Sequence, residues 1–127
     1  MFYTLVLLAL SVHTVSCPAM INAAETLQSP VAGWDVSYGN GQKRLVSAAV
    51  YAGKPSRRAS VQPLPGKSRT WLWPDLPDNA WLECSYEATS VKLSRPLGVS
   101  YKCVFSETRA GSIEPPTMNC LRRTAEK

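Results

Sequence analysis

Histidine is nearly absent from this chain. The single one, His13, lies in an apolar N-terminal stretch, so the body beyond it has no imidazole for general base work or metal binding. Ser-His-Asp and Cys-His arrangements are thereby excluded. Phe and Ile are scarce as well: beyond residue 16 only Phe105, Ile21 and Ile113 supply them. No CxxC pair occurs, which argues against a thiolate zinc site, and no cofactor is implied. No apolar run reaches the ~20 residues that a membrane-spanning helix needs. Ten prolines and seven glycines leave little uninterrupted room for a long helix. The net charge of +5 comes partly from scattered pairs, Lys43-Arg44, Arg57-Arg58 and Arg122-Arg123, without a basic stripe interleaved with aromatics. That pattern argues against a nucleic-acid partner and reads as solubilising surface, with attraction to an anionic envelope polymer or acidic protein as the functional counterpart.

What the chain does have is four cysteines, Cys17, Cys84, Cys103 and Cys120, the first just behind a leader. Leu5 to Val15 (LVLLALSVHTV) is uncharged and has the length of a secretory h-region, though no Lys or Arg precedes it. An exported chain folds in an oxidising compartment, where an even cysteine set reads as a disulfide framework. The expectation is a signal peptide over residues 1–16 and a single domain over 17–127, placed in the periplasm. Cleavage after Ala23 also fits the small-residue rule and would remove Cys17. A third reading makes Cys17 a lipidated N-terminus, since Thr14-Val15-Ser16-Cys17 loosely resembles a lipobox, and would give a membrane-anchored lipoprotein.

The body reads as all-β or β-rich: a small single antiparallel domain, a meander or a compact sandwich, stapled by disulfides. Leu45–Tyr51 is a short apolar run between turn signals, and Arg69–Trp73 is rich in β-formers and stops at Pro74. Ala80–Tyr86, Ser90–Arg95 and Tyr101–Ser106 show period-two alternation, with Val91 and Leu93 set to face a core. Thr117–Leu121 supplies a last strand. A short helix fits near Ser56–Val61, and Gln62–Lys67 (QPLPGK) reads as a surface loop. If the three alternating runs form a meander, Cys84 and Cys103 sit on strands about 10 Å apart, too far for a bridge. Cys17–Cys84 with Cys103–Cys120 is then one pairing to test. Cys17–Cys120 with Cys84–Cys103 is the other, should the meander be wrong.

Two sets of residues are candidates for chemistry. Glu83, Glu87, Glu107 and Glu114 could converge as paired carboxylates, but nothing in their spacing singles out a pair, and no enzyme activity is expected. Trp71, Trp73 and Trp81 form a candidate binding surface, with Arg69 and Arg95 as cations on its rim. Trp71 and Trp73 are two apart on one strand and so share a face. The functional reading is an aromatic platform for a partner; the structural reading is that these rings fill a core short of Phe and Ile.

The run Trp81-Leu82-Glu83-Cys84-Ser85-Tyr86, then Leu93-Ser94-Arg95-Pro96-Leu97, Cys103 and Cys120-Leu121-Arg122, resembles a family of small exported proteobacterial proteins of unknown function. The early Cys17-Pro18-Ala19 and the Leu45–Gly53 run fit it too. Some relatives in that family are encoded near type VI secretion genes, which implies accessory or immunity roles in the periplasm. The resemblance assigns no catalytic residue and favours keeping Cys17 in the mature protein. The resulting expectation is a non-catalytic periplasmic binding or accessory module. The alternatives are a structural or Cys17-anchored envelope component, and an immunity or inhibitor protein against a cell-wall-targeting toxin.

Overall fold

The computed structural model of the chain describes residues 14–98, 101–108 and 112–122. Among these residues nine strands, β1 (Thr14–Ser16), β2 (Met20–Asn22), β3 (Gln42–Ala52), β4 (Leu64–Pro65), β5 (Thr70–Trp73), β6 (Ala80–Tyr86), β7 (Lys92–Pro96), β8 (Tyr101–Ser106) and β9 (Thr117–Arg122), form two antiparallel sheets. Their orders are β1-β9-β8-β5-β4 and β2-β3-β6-β7. The expected Ser56–Val61 helix shrinks to a single 3-10 turn at Pro55–Arg57. Part of the Gln62–Lys67 loop is strand after all, because Leu64 and Pro65 pair with Leu72 and Trp71.

The alternation read from the sequence explains how each sheet finds its inner face. Along β6, Ala80, Leu82, Cys84 and Tyr86 are buried while Trp81, Glu83 and Ser85 lie between them on the outer side. On β8 and β9 the same period buries Tyr101, Cys103 and Phe105, and Met118 and Cys120. β3 needs a correction to its period. Leu45 pairs with Tyr86 and Ser47 with Ser85, so Val46 is a bulge that returns Leu45 to the side of Ala48 and Val50. That is why Leu45–Tyr51 reads as a continuous apolar run rather than an alternating one. Leu45, Val50 and Leu82 of one sheet and Trp73, Cys103, Met118 and Cys120 of the other share one core.

The meander does not form: β6 and β7 are neighbours, but β8 belongs to the other sheet. The bonded pairs are Cys17–Cys84 and Cys103–Cys120, the first of the two pairings considered. Cys84 and Cys103 are therefore separated by membership of different sheets, not by an intervening strand. Cys103–Cys120 joins directly opposite residues of β8 and β9, with Cα atoms 4.0 Å apart. Cys17–Cys84 ties the segment leaving β1 to β6 across the core, 67 residues away. Beside it, Tyr86 Oη donates to the Pro18 carbonyl at 2.7 Å, and burial pushes the Tyr86 phenol above its ordinary pKa. The Cys17 sulfur is committed to Cys84. A lipid thioether on that sulfur and this bond exclude each other.

The leader expectation falls mostly outside the described residues, but its last three residues are β1. Val15 is buried opposite Cys120, Ser16 Oγ donates to Asn119 Oδ1 at 2.6 Å, and Cys17 N–H donates to the Met118 carbonyl at 3.1 Å. Processing before Cys17 would release this strand and uncover the edge of β9; processing upstream of Thr14 would keep it. β7 also departs from expectation. All of its residues are exposed, with Leu93 at 37 %.

In the chain-entropy account, the cross-sheet bond contributes about 4 kcal/mol and the 17-residue bridge about 3 kcal/mol. Replacing either pair by serines should lower the unfolding free energy by a matching amount, read as a fall in the denaturant midpoint. An unchanged midpoint for the Cys17/Cys84 pair would show that the two sheets hold together without it.

Candidate functional site

The connection from β2 to β3 is the largest departure from compact packing. Its ends are pinned where Ala23 N–H donates to the Gly41 carbonyl at 2.8 Å. Gly41 has φ +82, and a Cβ there would sit 3.3 Å from the Ala23 carbonyl oxygen, so this neck calls for glycine twice over. Asn40 Oδ1 caps the turn by accepting from Gln42 N–H at 3.0 Å. Within the loop, Trp34 N–H donates to the Val31 carbonyl at 3.2 Å and Leu27 N–H to Tyr38 Oη at 3.2 Å. Outside it, the Glu25 carboxylate accepts from Ser90 Oγ at 3.0 Å and from Ser90 N–H at 3.4 Å, tying the loop to the β6–β7 turn. Hydrogen bonds from Thr89 and then Ser90 hold the Glu25 carboxyl below its ordinary pKa.

A loop held this way has a defined shape, yet its apolar side chains do not enter the core. Leu27, Val31, Val36 and Tyr38 are exposed, and Trp34 is 76 % exposed. They line an open cleft of about 750 Å³ with Glu25 and Asp35 at its polar margin. Scattered exposed aliphatics are ordinary on a protein surface; here five large apolar side chains gather on one loop.

The residues singled out from the sequence do not assemble into one surface. Trp71 and Trp73 do share a face, but it is the core face of their sheet. Trp73 is 3 % exposed, pairs in register with Cys103, and donates its indole N–H to the Val61 carbonyl at 2.8 Å. Trp71, two pairs further along and opposite Phe105, is 37 % exposed and donates its indole N–H to Glu107 Oε2 at 2.7 Å. Trp81 lies half-buried on the outer face of the other sheet, opposite Tyr51, whose hydroxyl donates to Glu83 at 3.3 Å. Arg69 sits at φ 62 in the β4–β5 turn and donates to the Thr108 carbonyl at 2.9 Å. Arg95 is exposed on β7.

Of the four glutamates, Glu87, Glu107 and Glu114 line one cleft of about 510 Å³ together with Arg44, which donates to the Ile113 carbonyl. Glu83 is elsewhere, on the outer sheet face.

Trp34 is the residue that sequence reasoning passed over. Leu27, Val31, Trp34 and Tyr38 follow helical spacing, but Pro30 and Gly33 break any helix that could turn them to a common buried side. Apolar residues with a broken period are the signal that a loop will leave them exposed.

Because folding lowers the Glu25 pKa, the loop's tie to Ser90 should be intact above the ordinary glutamate range and lost as pH falls through the lowered folded value. The Ser90 amide resonance should report that transition, and Glu25→Gln should remove it. A Ser90 amide that ignores pH over this range would break the assignment.

The model of one protein family, the type VI secretion system Tli immunity protein, matches residues 39–121. No curated protein and no solved structure matches the chain. The matched span starts in the neck of the exposed loop and runs through β3 to β9, taking in Cys84, Cys103 and Cys120. With well over half of its length matched, the chain belongs to the type VI secretion system Tli immunity protein family.

Proposed function

We propose that this protein is a periplasmic immunity protein that neutralises a type VI secretion toxin by direct stoichiometric binding, with the 23–41 loop as the docking element. The observation that carries this reading is the loop itself: five exposed apolar side chains on a pinned turn, with Trp34 outermost. Trp and Tyr at the centre of an interface bury large rigid areas at low entropic cost, which is why they dominate binding hot spots. Family membership supports a protein partner over a small ligand. Two disulfides, with none of the described cysteines left free, fit an oxidising compartment such as the periplasm. An apolar leader over residues 1–16 would take the chain there. The net charge of +5 speeds capture of a partner whose exposed face is acidic.

In this mechanism the immunity protein transforms nothing. It buries the loop against the toxin and holds it off its target for the lifetime of the complex. The pinned neck matters because a loop ordered before binding loses less conformational entropy on docking.

Trp34→Ala should weaken toxin binding by about 2 kcal/mol or more, roughly 30-fold in Kd, and reduce protection of toxin-expressing cells. Its unfolding free energy should stay within about 0.5 kcal/mol of the parent, since Trp34 packs against no core residue. Full binding and full protection by this variant would remove the loop from the mechanism.

A further inference from the structure

β7 closes the β2-β3-β6-β7 sheet, and β6 is its only paired neighbour among the described residues. It is the longer edge of its own sheet, with five residues against three in β2. In an antiparallel pair, alternate residues direct their backbone groups toward the partner strand and away from it. Leu97 N–H donates to the Ala80 carbonyl at 2.9 Å, and the register then turns Arg95 and Leu93 toward β6. Lys92 and Ser94 direct their N–H and C=O groups outward. Natural edges are blunted by proline and lysine. Here Pro96 lacks an N–H and Lys92 brings charge, yet the outward N–H groups of Lys92 and Ser94 remain.

A cleft of about 220 Å³ adjoins that edge on the core side. Pro18, Leu82, Cys84 and Leu93 line it, with Ser16, Ser94 and Arg95 completing the wall. In register, Leu93 lies opposite Cys84 and Arg95 opposite Leu82, so these four side chains share one face. The volume falls below the ~300 Å³ at which small-molecule pockets begin, so it suits one inserted side chain better than a whole ligand.

We propose that β7 receives an extended segment of a partner protein by strand addition. An apolar side chain of that segment enters the cleft over Leu82 and Leu93, and an acidic side chain pairs with Arg95. Leu93 and Arg95 are two residues apart on one strand, so the segment must carry its apolar and acidic residues two apart as well. Lys92 and Arg95 give the strand a charge of +2 with no acid in it, which selects an acidic segment and disfavours β7-to-β7 pairing of two copies. Strand addition draws affinity from main-chain bonds and specificity from alternate side-chain pockets, and β7 offers both. The proposal rests on the immunity reading only for which protein supplies the segment.

The test is an amide NMR titration of the full chain with two blocked octapeptides of alternating threonine. One carries leucine and aspartate two apart, the other leucine and lysine. The aspartate peptide should give saturable shifts at the Lys92 and Ser94 amides, and the lysine peptide none. Ser94→Pro removes an outward N–H that the fold does not use and is tolerated at an edge. It should weaken binding at least about tenfold (about 1.4 kcal/mol), and Arg95→Glu should reverse the peptide preference. Shifts that map to β2, β4 or the 23–41 loop would overturn the proposal, as would unsaturable shifts or a Ser94→Pro variant that binds like the parent. Broadening of β7 amides with protein concentration alone would assign the edge to self-association instead. Failure of the immunity reading shows separately, as a toxin that the parent chain does not bind.

Discussion

The bond from Cys17 to Cys84 carries more of this architecture than its two residues suggest. Among the described residues the core contains one buried phenylalanine and no buried isoleucine. The bond crosses between the sheets, and Tyr86 seals the same corner through its hydrogen bond to the Pro18 carbonyl. Fixing that corner also fixes where β2 begins, and β2 is one post of the exposed loop. The other bridge works within a sheet, holding β8 to β9 where Trp73 and Met118 pack. One bridge thus sets the distance between sheets, and the other sets the register inside one of them.

Much of this was legible in the sequence because period-two alternation has a direct physical cause, the alternation of side chains across a pleated strand. β6 and β8 follow it without exception, and the run before Gly53 departs from it only at the Val46 bulge. Which strands share a sheet was not legible, since nothing in the Ser90–Arg95 or Tyr101–Ser106 runs says that the chain changes sheets between them. Of the two cysteine pairings left open, the first is the one formed, although the meander it was tied to does not form. The tryptophans show the opposite failure. Residue type marked Trp71, Trp73 and Trp81 as binding candidates, but sheet membership scatters them: one in the core, one at the rim of that core, and one on an opposite outer face.

In the proposed mechanism the loop and the frame divide the labour. A frame stapled by disulfides and closed by backbone ladders tolerates apolar residues that contribute nothing to its own stability. The 23–41 loop concentrates such residues where a partner can reach them, and its neck, its Gly41 turn and its tie to Ser90 give them a fixed geometry. The tie to Ser90 also brings the loop beside the turn that leads into β7, so the two surfaces proposed for partners are structurally connected. A toxin engaging both would be held by side-chain burial on the loop and main-chain pairing on the edge.

In the proposed mechanism the toxin sits on the 23–41 loop. Hydrogen–deuterium exchange of the full chain, alone and with a type VI effector against which it protects, tests this most directly. Exchange should slow across residues 25–38 on complex formation. Unchanged exchange in that loop, with protection confined to the glutamate-lined cleft at Glu87, Glu107 and Glu114, would contradict it.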